Sequence, residues 1–416
     1  MTDGFMEDSG FTLVAPKDWA TSDSIIKVLG VGGGGCNAVE YMYRQKLEGC
    51  SFIVCNTDAQ ALERCTVPIK IQLGDGLGAG TNPTLGRNAA INSQQEIDNR
   101  ALDPNTKMLF ITAGMGGGTG TGATPVIAKM AKDKGILTVG VVTLPFLNEG
   151  KEVLSRAIDG IHELVKNVDS LIIINNQKLY QYFGDELVHD AFPKADEVLA
   201  TAVKGIVEII KKPGYINVDF QDIQTMMRSS GMALMGCGSG SGKNRMEDAV
   251  REAFESPLLN DYDLKTAKNV LVNITSGKNE QGLKMNELDE INQKIASYTG
   301  GANNFKNGLI WDDDPEVGDT IKITAIATGF KFNEILGPTV DLGSIISIEP
   351  DYVFDKSTHR KADTGSDGIT NHIGFSTTAN KAKFSFDPEN IPALMSTDEM
   401  TISQLESTAA IRRIQK

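Results

Sequence analysis

Short apolar runs separated by longer amphipathic segments occupy the first half of the chain. Each run is apolar at almost every position and does not alternate between apolar and polar residues. Strands of a parallel sheet that is covered by helices on both faces have this pattern. The segments between the runs have helical lengths, so the pattern predicts a doubly wound, mostly parallel α/β sheet. The runs lie at 25–29, 51–55, 108–112, 138–142 and 171–174.

A single long helix is predicted after these runs. Apolar residues recur at helical spacing through 190–212, and Pro213 with Gly214 ends the pattern. We therefore expect a first domain over 25–189, followed by a connecting helix over 190–212.

A second, mixed α/β domain is predicted over 213–331. An apolar run at 267–274 and an alternating run at 320–328 indicate strands. Helical patterns at 244–256 and 286–298 accompany them.

Both ends of the chain differ from the middle in composition. Residues 1–24 lack a basic start followed by an apolar run, so we expect a flexible leader and not a secretory signal. Beyond residue 331 polar residues dominate, and we expect 332–416 to be a disordered linker with a partner-binding tail. The pattern at 402–414 is that of a short helix that forms on a partner. No apolar window is long enough to cross a membrane as a helix.

The charge balance argues against two classes of binding partner, nucleic acids and anionic lipids. The formal net charge is −14 and the pI is near 4.9. This argues against a nucleic-acid binder, which needs Lys and Arg to replace phosphate counterions, and against direct binding to anionic lipid. The cysteines form no CxxC pair, which indicates reduced thiols in a cytoplasmic protein. They are Cys36, Cys50, Cys55, Cys65 and Cys237.

The first candidate for chemistry is a glycine segment, Gly32-Gly33-Gly34-Gly35, between the first strand and a helix that continues through Cys36 and Asn37. Glycines at such a turn let backbone N–H groups approach a phosphate, and a helix N-terminus favours an anion. The spacing of Gly30, Gly32 and Gly35 also fits a dinucleotide-binding GxGxxG motif. A tight packing turn is the remaining alternative.

A second glycine segment lies at 114–122, after the strand at 108–112 and before a helix predicted at 124–133. Two such segments at helix starts can surround one polyphosphate, and the hydroxyls of Thr119 and Thr121 are expected to add donors. A packing turn does not explain this many glycines, because each buried glycine carries an entropic cost. The segment lacks the spacing and the lysine of a Walker loop.

The string GGGTGTG at 116–122 is the signature of the tubulin superfamily, and the chain resembles the tubulin/FtsZ family of GTPases over about 25–330. Other stretches similar to family loops are 30–39, 56–58, 77–83 and 145–150. The resemblance implies that GTP or GDP is bound together with Mg²⁺, with no side chain assigned as a metal ligand. The nucleotide-binding residues that it implies are Gly32, Gly33, Gly34, Gly35, Cys36, Asn37, Asp58, Ala79, Gly80, Gly114, Met115, Gly116, Gly117, Gly118, Thr119, Gly120, Thr121, Glu149, Asn176, Phe192 and Asp196.

The resemblance places Asn176, Phe192 and Asp196 in the guanine pocket. An aromatic ring can stack on the base, and a carboxylate can accept hydrogen bonds from the guanine N1–H and amino group. Adenine offers no such pair of donors, so Asp196 favours GTP over ATP. Without the resemblance, a solvated charge on a helix is the better explanation of Asp196.

The motif at 217–222 resembles the family's catalytic loop, and the resemblance implies catalytic roles for Asn217, Asp219 and Asp222. In the family these residues enter the nucleotide site of the neighbouring subunit and polarise the attacking water. From the residues alone, Asp219 and Asp222 also fit the N-terminal cap of a following helix. The two roles are compatible.

The chain departs from the family pattern at one position near the phosphates. The family often has an arginine four residues after the glutamate matched by Glu149, and this chain has Val153 there. Lys151 and Arg156 are close in sequence but do not match that position. A filament-forming scaffold that binds GTP and hardly hydrolyses it therefore remains an alternative.

The resemblance implies a cytoplasmic protein that assembles head-to-tail into filaments, forms the division ring at midcell and hydrolyses GTP between subunits. In the tail, 389–394 resembles the family's peptide for membrane-tethering and division-regulating partners, although its basic residues are missing; the basic tip at 412–416 is a second candidate. The alternatives are a nicotinamide-dependent oxidoreductase, which leaves the second glycine segment unexplained, and a tubulin-like filament for plasmid or phage segregation.

Overall fold

The computed structural model describes residues 24–177, 188–211, 214–216, 218–255, 264–301, 304–312 and 317–330. For 188–195 and Gly214 it describes the backbone alone. In the tail it describes two short strands, Phe354–Asp355 and Arg360–Lys361, which pair antiparallel within a separate unit, Lys331–Lys416. The predicted leader, the remainder of the predicted tail with 389–394 and 402–416, the side chain of Phe192, and Asn217 lie outside the described residues.

In the described residues of the unit Met1–Phe330, the strands form an 11-stranded sheet with the order β3-β2-β1-β4-β5-β6-β8-β11-β9-β10-β7. The strands are β1 Ile26–Val31, β2 Ser51–Asn56, β3 Ile69–Gln72, β4 Met108–Gly114, β5 Leu137–Leu144, β6 Ser170–Asn175, β7 Gly214–Ile216, β8 Gly231–Gly240, β9 Asn269–Gly277, β10 Asn304–Asp312 and β11 Ile321–Phe330.

The helices in the described residues are α1 Gly32–Arg44, α2 Ala59–Arg64, α3 Pro83–Asn92, α4 Gln94–Arg100, α5 Thr119–Asp133, α6 Lys151–Asn167, α7 Val188–Lys211, α8 Phe220–Met227, α9 Arg245–Phe254 and α10 Met285–Thr299. Short 3-10 turns lie at Leu147–Glu149, Gly242–Asn244 and Leu264–Thr266.

The predicted parallel sheet is confirmed. Strands β1 to β6 pair in parallel in the order β3-β2-β1-β4-β5-β6, so that β1 lies between β2 and β4. The sequence pattern missed β3, which has only four residues and is partly exposed. The antiparallel pairs are β11 with β8, β11 with β9, and β10 with β7.

The first and second predicted domains share this sheet. Strand β6 pairs with β8 through three residues, from Ser170 opposite Gly231 to Ile172 opposite Ala233. The division into two domains at the long helix therefore stays a prediction.

Helix α7 confirms the predicted connecting helix within two residues at its start. Its apolar face, including Val203, Ile206 and Val207, belongs to a core cluster that also contains residues of β1, β6, β8, β9 and β11. A Cβ built on Gly205 would lie 2.7 Å from Met235 Cε and 2.8 Å from Thr324 Cγ2. Glycine at this position therefore lets the helix pack closely on the strands of the second half.

Candidate nucleotide-binding site

The residues predicted to bind nucleotide follow the carboxyl ends of the parallel strands. Gly32 follows β1, Asp58 lies two residues after β2, and Met115 follows β4. Glu149 lies just after β5, and Asn176 directly after β6. Because the carboxyl ends of parallel strands share one edge of a sheet, the fold brings these residues to one side of the molecule.

The first glycine segment and the end of the second, from Thr119, are themselves part of helices. Helix α1 begins at Gly32 and α5 begins at Thr119, so the helix predicted at 124–133 starts five residues earlier than the pattern indicated. Tertiary contact overrides the low helix propensity of glycine here. A Cβ on Gly120 would lie 2.5 Å from Gly114 O, and a Cβ on Gly122 would collide with Pro83 O. The glycines thus let the start of α5 pack directly against neighbouring backbone.

The two glycine segments are in contact. A Cβ on Gly34 would lie 3.4 Å from Gly114 Cα, and one on Gly32 would lie 2.8 Å from Gly120 N. Gly32 also has φ +71°, a conformation that side chains rarely adopt. The side chain of Cys36 faces the interior, where burial raises the pKa of its thiol to about 12, so only its backbone can face a ligand.

Open space lies beside one glycine of each segment. Gly33 and Gly117 are exposed, and a Cβ built on either would meet nothing within 4 Å. Neither α1 nor α5 has a side-chain cap, so the first N–H groups of both helices lack that partner. Uncapped N–H groups at a helix start favour an anion through both hydrogen bonding and the helix dipole.

The threonine hydroxyls of the second segment make contacts within the protein. Thr119 Oγ1 lies 2.6 Å from Thr57 Oγ1, and Thr121 Oγ1 accepts a hydrogen bond of 2.8 Å from Gly116 N. These bonds join the second glycine segment to the end of β2 and fix its turn. Their contact with a phosphate stays a prediction.

The loop at 74–82 lies against the second glycine segment. Gly78 N donates to Thr57 O at 2.8 Å, and a Cβ on Gly118 would lie 2.8 Å from Ala79 Cβ. Ala79 is buried and Gly80 is exposed. Asp58 caps α2 by accepting hydrogen bonds from the backbone of the helix's first turn. This loop forms another wall beside the open space.

The turn after β5 is held by Glu149, whose Oε1 accepts a hydrogen bond of 2.8 Å from Phe146 N. Leu147 N in turn donates to Gln177 Oε1 at 3.3 Å. This turn, which contains the predicted nucleotide-binding residue Glu149, is thus joined to the segment after β6, which was expected to contact the base.

The predicted base pocket contains two groups suited to a polar ligand. Asn176 Oδ1 is buried and has no hydrogen-bond partner among the residues that the structure describes. Burial raises the pKa of Asp196 from 3.8 to about 6. A buried polar atom without a partner is costly, so Asn176 fits a site that a ligand completes.

Two residues on one face of α6 contact the second glycine segment. A Cβ on Gly116 would lie 2.6 Å from Val153 Cγ1, and Arg156 Nε donates to Gly116 O at 3.0 Å. The sequence pattern did not predict the arginine contact. The available signal was the spacing of Val153 and Arg156, since residues three apart share a helix face.

The predicted catalytic carboxylates lie at the start of α8. Asp219 is the N-cap, and its Oδ1 accepts a hydrogen bond of 2.8 Å from Asp222 N, which confirms the capping role. Asp222 Oδ1 pairs with Lys306 Nζ at 2.8 Å.

Contacts around α7 and α8 place these carboxylates at the opposite edge of the sheet from the glycine segments. Lys211, at the end of α7, packs against Gly49, which precedes β2. Arg228 Nη2, directly after α8, donates to the carbonyl of Gly135, which precedes β5, at 3.1 Å. Gly231 N donates to Asp169 O, just before β6, at 3.1 Å. All three contacts are at the amino ends of the parallel strands.

Within the described part of the chain, no three His, Cys, Asp or Glu side chains converge on a possible metal position. Helices that are both long and apolar enough to cross a membrane are also absent from the described residues.

Two family models match the sequence. The Tubulin/FtsZ family, GTPase domain, matches 25–184, and the FtsZ family, C-terminal domain, matches 231–331. Among curated relatives, the cell division protein FtsZ of Porphyromonas gingivalis is 46% identical over 330 residues, which are 78% of this chain and 71% of the relative. The FtsZ of Wigglesworthia glossinidia brevipalpis is 43% identical over 382 residues, 90% of this chain and 97% of the relative.

Solved structures with a similar fold include an empty FtsZ dimer from M. jannaschii. It superposes with a TM-score of 0.67 at 37% identity, covering 78% of this chain and 95% of that chain. CetZ2 from Haloferax volcanii, a GTPγS-bound protofilament, gives a TM-score of 0.63 at 20% identity over 75% of this chain and 95% of that chain. The second likeness shows the fold alone.

Proposed function

This chain belongs to the tubulin/FtsZ family of GTPases, and we propose that it polymerises head-to-tail and hydrolyses GTP at a site that the next subunit completes. The family membership leaves no support for a nicotinamide-dependent oxidoreductase. The curated relatives are named as cell division proteins, which favours division over plasmid or phage segregation.

The observation that carries the proposal is the placement of Asp219 and Asp222 across the sheet from the glycine segments. Strand β4 has seven residues, so its two ends are about 20 Å apart. Carboxylates at the amino edge cannot reach a phosphate at the carboxyl edge of the same subunit. A second subunit that stacks its amino edge on the first subunit's carboxyl edge brings the two together. Such an interface does not close on itself, so it propagates a filament.

Exposed apolar side chains at both edges support this stacking. Leu77, beside the nucleotide space, is 88% exposed. At the other edge Phe305 is 40% exposed next to Lys306 on β10, and Tyr215, four residues before Asp219, is 79% exposed on β7, the last strand of the sheet. An interface that covers large apolar side chains, which are exposed in the free subunit, is stabilised by their burial.

Each group of residues has a separate proposed role. The uncapped N–H groups at the starts of α1 and α5 bind the phosphates and stabilise charge that develops on them. Asp196 and Asn176 hold the guanine and exclude adenine. Asp219 and Asp222 of the neighbouring subunit orient the attacking water and accept its proton. Since no cluster of metal ligands occurs in the described residues, Mg²⁺ would be held mainly by phosphate oxygens and water, where it neutralises phosphate charge.

The tail, 332–416, is proposed to bind membrane-tethering and division-regulating proteins in the cytoplasm at midcell. A chain truncated after residue 331 is expected to keep GTP hydrolysis and to lose recruitment of these partners. If the truncated chain no longer polymerises, the tail has a role in assembly and this part of the proposal is wrong.

Light scattering with GTP, GDP and ATP in turn tests the proposed function. We expect assembly with GTP, disassembly as GTP is consumed, and no assembly with ATP. Assembly with GTP that persists without phosphate release would instead support the non-hydrolysing scaffold that Val153 left open.

A further inference from the structure

The peptide between Gly116 and Gly117 is bound by the protein at its carbonyl oxygen, whereas Gly117 itself is exposed. Gly116 has φ +105°, and its N–H donates to Thr121 Oγ1 at 2.8 Å. Its carbonyl oxygen accepts a hydrogen bond of 3.0 Å from Arg156 Nε. Gly117 is exposed, and a Cβ built there meets nothing within 4 Å.

Holding the carbonyl oxygen of a trans peptide also orients the next N–H. The C=O of Gly116 and the N–H of Gly117 lie in one plane and point in opposite directions. With the oxygen bonded to Arg156, the Gly117 N–H points away from Arg156 within the same plane. Two consecutive glycines have little intrinsic preference for one peptide orientation, so the orientation depends on such contacts.

Arg156 is held mainly by this contact. Its side chain is 27% exposed, whereas its ionic partner Glu152 is 94% exposed and lies 3.8 Å away. An exposed pair at that distance is weak. The position three residues earlier carries Val153, which contacts Gly116 without charge. Arg156 therefore brings a positive charge to the loop that Val153 cannot supply.

We propose that Arg156 is a positioning residue for nucleotide binding, which fixes the Gly116–Gly117 peptide so that the Gly117 N–H faces the phosphates. The proposal rests on the proposed function, because it takes the space beside Gly117 as the phosphate site. It does not require Arg156 to touch the nucleotide.

The test compares Arg156→Met with Arg156→Lys and, as a matched control on the same helix, Glu152→Gln. Affinities for GTP, GDP and guanosine are measured below the protein concentration at which filaments form. We expect Arg156→Met to weaken GTP and GDP binding about tenfold, to leave guanosine binding unchanged and to keep the Tm within about 2 °C. The GTP and GDP affinities of Arg156→Lys should lie between those of Arg156→Met and the unchanged chain, because lysine can donate a hydrogen bond but lacks the fixed guanidinium geometry. Glu152→Gln should bind all three as the unchanged chain does.

Unchanged GTP and GDP affinity in Arg156→Met would overturn the proposal. An equal loss for guanosine, which has no phosphate, would also overturn it, since the effect would then be general destabilisation. Failure of the proposed function looks different: in that case the unchanged chain itself binds no GTP.

Discussion

Lys306 and Asp222 form an ion pair, with Nζ of the lysine 2.8 Å from Oδ1 of the aspartate. The hydrogen bond and the charge of Asp222 raise the pKa of Lys306. Lys306 lies on β10 and Asp222 in the first turn of α8, so the pair joins the second half of the sheet to the proposed catalytic helix.

Removing this pair should affect hydrolysis more than binding. In Lys306→Met the Asp222 carboxylate loses its fixed orientation, and we expect the turnover in assembled filaments to fall about threefold to tenfold. GTP affinity should not change, because Lys306 is at the opposite edge of the sheet. The Tm should be unaffected, since exposed ion pairs contribute little to stability. Lys306→Arg is the control that keeps the charge. Full turnover in Lys306→Met would show that the pair is a surface contact only.

Guanine binding should weaken as the pH falls through about 6. Burial raises the pKa of Asp196 to about 6 in the free protein, and guanine requires the ionised carboxylate as its acceptor. The ionised fraction falls from about 0.9 at pH 7 to about 0.1 at pH 5, so affinity should fall about tenfold. Calorimetric titration at both values measures this change. Protonation of the phosphates also contributes, and Asp196→Asn corrects for it. The same pH dependence in the unchanged chain and in Asp196→Asn would show that Asp196 does not bind guanine.

Open and packed glycines should respond differently to substitution. Gly33→Ala and Gly117→Ala place a methyl group where the structure has no neighbour within 4 Å. We expect an unchanged Tm and GTP affinity reduced about tenfold or more, because the methyl group occupies phosphate space. Gly118→Ser should also bind GTP at least tenfold more weakly, but its Cβ would meet Ala79 Cβ at 2.8 Å and Asn82 N at 2.9 Å, so it should lower the Tm as well. A normal GTP affinity of Gly117→Ala would show that the phosphates do not bind beside Gly117.

The exposed ring of Tyr215 should matter for assembly. Tyr215→Ser removes an exposed apolar side chain from the strand that leads to Asp219 and Asp222, so we expect the critical concentration for filament formation to rise several-fold. GTP binding below that concentration serves as the internal control and should be normal. Sedimentation with GTP measures the change. An unaltered critical concentration would exclude Tyr215 from the interface.

The sequence predicted the parallel strands of the first half other than β3 because their apolar runs are uninterrupted, and it missed β3 because Ile69–Gln72 has only four residues and is half-exposed. It also predicted the cap at Asp219, a local interaction between residues close in sequence. The early start of α5 at Thr119 depends on contact with Pro83 and Gly114, which no local pattern shows. The Arg156 contact with Gly116 joins residues 40 positions apart, so the single sequence did not reveal it.

The central claim is that each GTP is hydrolysed by two subunits, and mixing two inactive variants tests it most directly. Asp222→Ala keeps a complete nucleotide site and lacks the catalytic carboxylate, while Gly117→Ala has the opposite defect. With GTP kept well below the Kd of Gly117→Ala, each variant alone should hydrolyse almost no GTP, and Asp222→Ala filaments should persist. In an equal mixture, about one interface in four joins a good site to a good loop, so phosphate release should reach about a quarter of normal. Activity equal to the sum of the separate variants, or concentration-independent hydrolysis by Asp222→Ala alone, would contradict the account.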